Sequence, residues 1–381
     1  MKDKVVIVTS RSGFPNGYGA ASIIRKYAKG FSDNGYKVHI MLLRPSDYEG
    51  KQINFELKGR YEKATFEYMG RKILSPISKV KRLVTYGYGL LRCCWYLTKN
   101  KKHIHTLFFY SPDYICSVRT ITTLCSILKI RCVGIKTESS FCDSERVKKK
   151  NWLKIERVIY QGFEELYVIS RYLEKQIRGF GYAKKITVLP ILIDTSMYES
   201  QSECDRRKEI VYMGTMGHKE ETNALIEVAK HIFKKHCDWK LVIIGDASRI
   251  EDKITSYVGN GIVECTGVLS YNQLPDRLVH AGILILPRSK QEYSNAGFPI
   301  KLGEYLLTGA PVIATDVGEI KDYLKEDKEI YLVDSDNIDC FLDKINFVIE
   351  HYEEALEVGA KGYDAATRLF DAKIVCKRML K

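Results

Sequence analysis

The 381 residues predict an α/β protein made of two successive, doubly wound parallel-sheet domains. Length is the first reason, because a chain of this size exceeds what one hydrophobic core usually holds. The second is the opening run of an apolar strand ("KVVIVTS"), a glycine loop ("RSGFPNGYGA"), a helical stretch and another apolar strand. That is the order of a parallel strand–helix–strand crossover. The third is that the same alternation restarts at "EIVYMG", residues 209–214.

The first half reads as strands at 4–10, 37–43, 104–110, 131–137, 166–169 and 186–189, each a short apolar run. Helical patterns fall between them at 20–34, 71–99, 113–128, 146–162 and 171–179. In the second half, strands are expected at 209–214, 240–246, 282–287, 311–315 and 330–334. Helices are expected at 221–236, at 271–281 with a kink near Pro275, from about 300 to Gly309, and at 319–324. The boundary lies near "VLPILIDTSMYE", residues 188–199, which gives domains of 1–193 and 194–364. A last helix covers about 365–381.

Charge divides the chain. Residues 1–195 hold 36 Lys and Arg against 16 Asp and Glu, a net +20, whereas 196–381 hold 24 against 31, a net −7. A basic first half implies an anionic partner, such as a membrane face, a lipid pyrophosphate or nucleic acid. No run of 18 apolar residues exists, so no spanning helix is expected. The N-terminus enters a strand without the ordered regions of a secretion signal. The eleven cysteines show no paired-ligand spacing, and Cys93 and Cys94 are adjacent. They read as reduced, mostly buried thiols of a cytoplasmic protein. The histidines show no metal-ligand pair on one helix face, so no metal site is expected.

The most specific segment is "FPIKLGEY", residues 298–305, which opens a helix just after the strand "GILILP". A helix start there presents backbone N–H groups to an anion, and Lys301 adds a mobile positive charge. Glu304, one turn on, can accept hydrogen bonds from two vicinal hydroxyls such as those of ribose. With "LLTGAPVIATDVGEI" following it, the segment resembles the donor-nucleotide region of family-four retaining glycosyltransferases of the GT-B architecture. It resembles in particular a branch reading GFPxKLxEY, with Gly297 and Phe298 in the first two places. Glu304 matches the second Glu of the usual two-Glu pattern. The first falls on Ala296.

The resemblance implies two Rossmann-like domains facing each other across a cleft, with the last helix crossing back onto the first. It also implies a nucleoside diphosphate sugar as substrate, no cofactor and no metal. Gly17 and Gly19, in the loop after the first strand, would approach the donor. In "GTMGHKEE" the family's Arg position is Thr215, and Lys219 sits near the expected Lys, a ligand for the donor phosphates; Arg288 or Lys301 would make up the missing cation. Glu138, in "GIKTESSFCD", falls where relatives carry a cleft-facing His or Thr-Glu pair. It reads either as a group that orients an acceptor hydroxyl or contacts the donor sugar, or as a cap of the next helix, a role open also to Ser139 or Ser140.

Between Glu67 and Asp113 there is no acidic residue, but nine Lys and Arg are interleaved with Tyr86, Tyr88, Trp95 and Tyr96. The pattern predicts an interfacial surface on anionic lipid, with Arg146 to Lys150 as a second basic stretch. The alternative is a buried aromatic face with a solvated basic edge. No nucleic-acid motif accompanies the charge, so nucleic acid is not the expected partner. The expectation is a glycosyltransferase of hexosyltransferase type. It would be cytoplasmic and peripheral on the inner face of the cell membrane, and would act on a lipid pyrophosphate-linked glycan in capsule or O-antigen type polysaccharide biosynthesis. A non-catalytic nucleotide-sugar-binding subunit and a sugar-nucleotide epimerase are the rival readings.

Overall fold

The structure, a computed structural model, describes residues 3–10, 12–17, 19–138, 151–198, 205–214, 222–270, 272–334 and 337–381. Of Glu292 and Tyr293 it describes the backbone alone. The chain divides into two compact units. One is Met1–Leu192 with Ala372–Lys381, and the other is Ile193–Asp371.

The first unit is built on an eight-stranded sheet of order β3-β4-β2-β1-β5-β6-β7-β8. Its strands are β1 (Lys4–Thr9), β2 (Lys37–Leu42), β3 (Lys58–Tyr61), β4 (Ala64–Tyr68), β5 (Ile104–Tyr110), β6 (Arg131–Lys136), β7 (Glu165–Val168) and β8 (Lys185–Val188). All neighbours pair parallel except β3 and β4, which form an antiparallel edge. The inner strands are continuous apolar runs because helices cover both faces of a parallel sheet. Val5, Val6, Ile7 and Val8 of β1 are all buried.

The expected strands of this half are present, and β3 and β4 are additional. β3 reads "KGRY" with exposed and half-buried positions alternating, so its sequence carries no apolar signal, as suits a sheet edge. The helix expected from 71 begins at Lys79. Pro76 favours extended backbone before it, and Ser78 is still extended at φ −67°, ψ 128°.

The second unit holds a six-stranded parallel sheet of order β11-β10-β9-β12-β13-β14. Its strands are β9 (Glu209–Met213), β10 (Lys240–Ile244), β11 (Val263–Gly267), β12 (Ile283–Leu286), β13 (Val312–Thr315) and β14 (Tyr331–Val333). The sequence did not suggest the helix Glu251–Gly259 or β11, whose "VECTG" is largely exposed. The kink expected near Pro275 is absent. Pro275 occupies the first turn of the helix Leu274–Val279, where a missing N–H costs nothing.

The terminal helix is two helices. Tyr352–Phe370 ends at Asp371, whose φ −53° and ψ 128° are not helical, and Ala372–Met379 follows. The latter packs in the first unit, against the helix Ala20–Asp33. A Cβ on Gly30 would stand 2.6 Å from Cys376 Sγ and collide with the Ala372 carbonyl, so only glycine permits this approach. Arg131 Nη1 donates to Met379 O at 2.8 Å, and Asn34 Nδ2 donates to Lys373 O at 2.8 Å.

Candidate active site

In the second sheet β9 lies between β10 and β12, where strand order reverses. Ligands of open α/β sheets bind at the carboxyl ends of strands at such a point. The helix Ile300–Leu306 reaches this position. Tyr305 Oη accepts the backbone N–H of Met213, the last residue of β9, at 2.7 Å. Lys301, one turn earlier, places its Nζ over the Tyr212 ring, 5.4 Å from the centroid. A Cβ at Gly214 would stand 2.5 Å from Lys301 Nζ and run into Tyr212 Oη. The glycine after β9 therefore makes room for the ammonium group. Glu304 follows Lys301 by three residues, and both are half-buried.

The segment before the helix is tied down. Phe298 is buried, with its ring 5.4 Å from Tyr323 and 5.3 Å from Phe370, centroid to centroid. Gly297 is half-buried and Ala296 is buried. Asn295 Oδ1 accepts the N–H of Gly318, in the loop after β13, at 3.0 Å. Arg288, after β12, is buried; its backbone N–H donates to Thr315 Oγ1 at 2.8 Å, and that hydroxyl lies 2.9 Å from Arg288 O. One β13 hydroxyl thus fixes the turn. Ser289 Oγ and Ser294 Oγ are buried in the same stretch without a hydrogen-bond partner among the described residues. Nothing in the spacing of the sequence marked either serine.

Lys219 and Thr215, with His218, lie outside the described residues, as do Ser139, Ser140 and the stretch Arg146–Lys150. Lys301, Glu304, Arg288, Gly297 and Phe298 therefore carry the described part of the second unit's site.

In the first unit the equivalent edge of the sheet carries Gly17, Gly19 and Glu138. β1 also sits at a reversal of strand order, between β2 and β5. Gly17 N–H donates to Gly13 O at 2.7 Å, and Gly19 precedes the helix Ala20–Asp33. The loop is held by a buried polar strap. Asn54 Oδ1 accepts Asn16 N–H at 3.0 Å, while Asn54 Nδ2 donates to Gly13 O at 3.0 Å and to Asp47 Oδ1 at 3.0 Å. Asp47 Oδ2 accepts the N–H groups of Ile53 and Asn54 at 2.8 and 2.7 Å. Arg25 Nη1 donates to Gly17 O at 3.1 Å. Sequence reasoning missed Asp47, Asn54 and Arg25: Asn54 reaches Asn16 and Gly13 across 38 and 41 residues, and the bonds of Asp47 and Arg25 join loop segments that no periodic pattern marks. Glu138 is exposed beyond the end of β6. Beside it, Tyr110 Oη lies 3.3 Å from the buried Thr137 Oγ1. Burial pushes the Tyr110 phenol well above its ordinary range; Thr137 lowers it and Glu138 raises it. Among the described residues no three His, Cys, Asp or Glu side chains converge as metal ligands.

Residues 196–365 match the family model described as glycosyl transferases group 1. The matched residues lie within the second unit. The matched segment contains Arg288, Gly297, Phe298, Lys301 and Glu304. The chain is 25% identical over 175 residues to the poly(ribitol-phosphate) alpha-N-acetylglucosaminyltransferase of Staphylococcus aureus (strain COL). That match covers 45% of this chain and 34% of the relative, so it spans about a third of the relative's length. Among solved structures, sucrose-phosphate synthase from Thermosynechococcus elongatus superposes with a TM-score of 0.74 at 15% identity, covering 99% of this chain and 97% of that one. Anabaena Alr3699/HepE, in complex with UDP and glucose, gives 0.68 at 13% identity, covering 98% of each chain. The α/β fold with two parallel-sheet units is that of GT-B structures, as the sequence predicted.

Proposed function

We propose that the chain is a retaining glycosyltransferase that moves a sugar from a nucleoside diphosphate sugar onto a glycan acceptor. The observation that carries the proposal is the Lys301 ammonium seated against Gly214 at the carboxyl end of β9, with Glu304 one turn further along the same helix. The group 1 match supports it, as do a structural neighbour that holds UDP and glucose and a relative that transfers N-acetylglucosamine to a phosphate-rich polymer.

Catalysis in this reading is stabilisation of the leaving group. Lys301 and Lys219 meet the diphosphate as negative charge grows on it, which favours the transition state over the bound donor. Glu304 accepts hydrogen bonds from the ribose hydroxyls. Thr215, Arg288, Gly297 and Phe298 shape the donor pocket, and the backbone at Gly17 and Gly19 admits the diphosphate and sugar. Glu138 orients the acceptor hydroxyl. The acceptor oxygen attacks the anomeric carbon on the face the diphosphate leaves, and its proton passes to the departing phosphate oxygen. No protein nucleophile and no metal is required by that sequence of events. The acceptor is a lipid pyrophosphate-linked glycan of a surface polysaccharide, met at the inner face of the cell membrane.

The test is transfer of labelled sugar from UDP-, GDP- and dTDP-sugars to a membrane extract, with Lys301→Ala alongside. Transfer that falls at least tenfold in the variant supports the reading. Nucleotide binding without transfer would support the non-catalytic subunit, a role in keeping with the buried Ala296 at the place of the family's first carboxylate.

A further inference from the structure

The helix Lys79–Asn100 carries two apolar stripes on opposite sides. At 3.6 residues per turn, Thr85, Gly89, Cys93 and Leu97 share one face, and all are buried. Val80, Leu83, Val84, Tyr88, Leu91 and Trp95 share the other, and all are exposed; Val80, Leu83 and Leu91 are each 70% exposed and Trp95 62%. Ile77, just before the helix, is 85% exposed. Single exposed apolar residues are ordinary, but a contiguous stripe of them marks an interaction surface.

Charge and shape indicate what covers it. No acidic residue occurs between Glu67 and Asp113. Lys81 borders the stripe near its start, and Lys99 holds its Nζ 4.8 Å from the Trp95 ring centroid near its end. At the start of the helix lies a cavity of about 730 Å³. Leu57, Leu74 and Ile77 give it an apolar wall, while Arg71, Lys72 and Lys81 bring three cations against one carboxylate, Glu49. An apolar stripe edged with lysines beside a cationic pocket fits a surface that is both anionic and oily.

We infer that this face lies on an anionic phospholipid bilayer, with the stripe at the boundary of headgroups and acyl chains and the cavity holding a lipid phosphate. The inference rests on the membrane association in the proposed function and assigns it to particular residues. Amphipathic helices bind in this way by apolar burial together with attraction to anionic lipid. Trp95 and Tyr88 are residue types that favour the headgroup level. A second copy of the chain is a poorer occupant, because a two-fold contact brings the same basic margins together.

The test is co-sedimentation of the full chain with vesicles of phosphatidylcholine alone and of phosphatidylcholine with phosphatidylglycerol. Binding is expected only to the anionic vesicles and should weaken at high salt. Leu83→Glu with Leu91→Glu should abolish it. Arg71→Gln, Lys72→Gln and Lys81→Gln should each lower affinity roughly fivefold. All five positions are exposed, so the variants should fold, and circular dichroism checks this. Equal binding to neutral vesicles, no binding to either kind, or a dimer that Leu91→Glu dissolves would each overturn the inference. Nucleotide-dependent thermal stabilisation of the same proteins is read separately. No stabilisation by UDP, GDP, ADP, CMP or dTDP, with vesicle binding intact, would sink the transferase reading and leave the lipid surface standing.

Discussion

Tyr305 Oη accepts the backbone N–H of Met213 at 2.7 Å, which joins the helix bearing Lys301 and Glu304 to the last residue of β9. Both partners are buried. The bond spans 92 residues of sequence and fixes where the helix starts relative to the loop at Gly214. Tyr305→Phe keeps the ring and leaves the Met213 N–H without its partner. It should cost about 1–3 kcal/mol, seen as a lower urea midpoint with an unchanged slope, and should weaken nucleoside diphosphate binding severalfold.

Lys301→Ala removes a half-buried ammonium that packs on Tyr212 and Gly214. If the group serves the donor phosphates, as proposed, the change should leave the melting temperature of the free protein within a few degrees. Affinity for a nucleoside diphosphate should fall tenfold or more, and the salt dependence of binding should become shallower. Calorimetric titration at two ionic strengths reads both effects.

Asn54 is fully buried and bridges the glycine loop to Asp47. Asn54→Ala leaves the Asn16 N–H without its partner and takes one donor each from the Gly13 carbonyl and the Asp47 carboxylate, which keep their backbone donors. A loss of about 2–3 kcal/mol is expected, measured by chemical denaturation. Asn54→Asp is no rescue, because it sets a second carboxylate against Asp47.

His39 gives the first unit a pH dependence. Burial pushes its imidazole down to about 4, opposed by Glu67, while its Nδ1 lies 2.9 Å from Thr65 Oγ1 and its ring stacks on Tyr96. The unfolded chain takes up this proton near pH 6.5 and the folded chain only near 4. Stability is therefore full above pH 6.5 and is lost as pH falls towards 4. Between pH 7 and 5 the loss should be roughly 2 kcal/mol. His39→Gln should flatten that part of the profile in urea titrations at the two pH values.

Where the strands are buried on both faces, the sequence showed them. "VVIV", "LVII" and "ILIL" are apolar without interruption because helices cover both sides of each parallel sheet. The edge strands β3 and β11 were invisible because one side of each meets water, so "KGRY" and "VECTG" carry no such run. Lys301 and Glu304 were legible because their spacing is local to one helix. The contact of Lys301 with Gly214, the grip of Tyr305 on Met213 and the strap from Asn54 to Gly13 join residues far apart in the chain. No local pattern encodes these contacts; they follow from the order of strands in the sheet.

The most direct test of the account is thermal stabilisation of the purified protein by UDP, GDP, ADP, CMP and dTDP, with Glu304→Ala measured alongside. A ligand that binds the native state alone raises stability by mass action, about 2.7 kcal/mol at a hundredfold excess over Kd. A donor site at Lys301 and Glu304 predicts a clear shift with one nucleoside diphosphate that largely disappears in Glu304→Ala. A shift of full size in that variant would contradict the ribose contact, and no shift with any of the five would contradict the donor site itself.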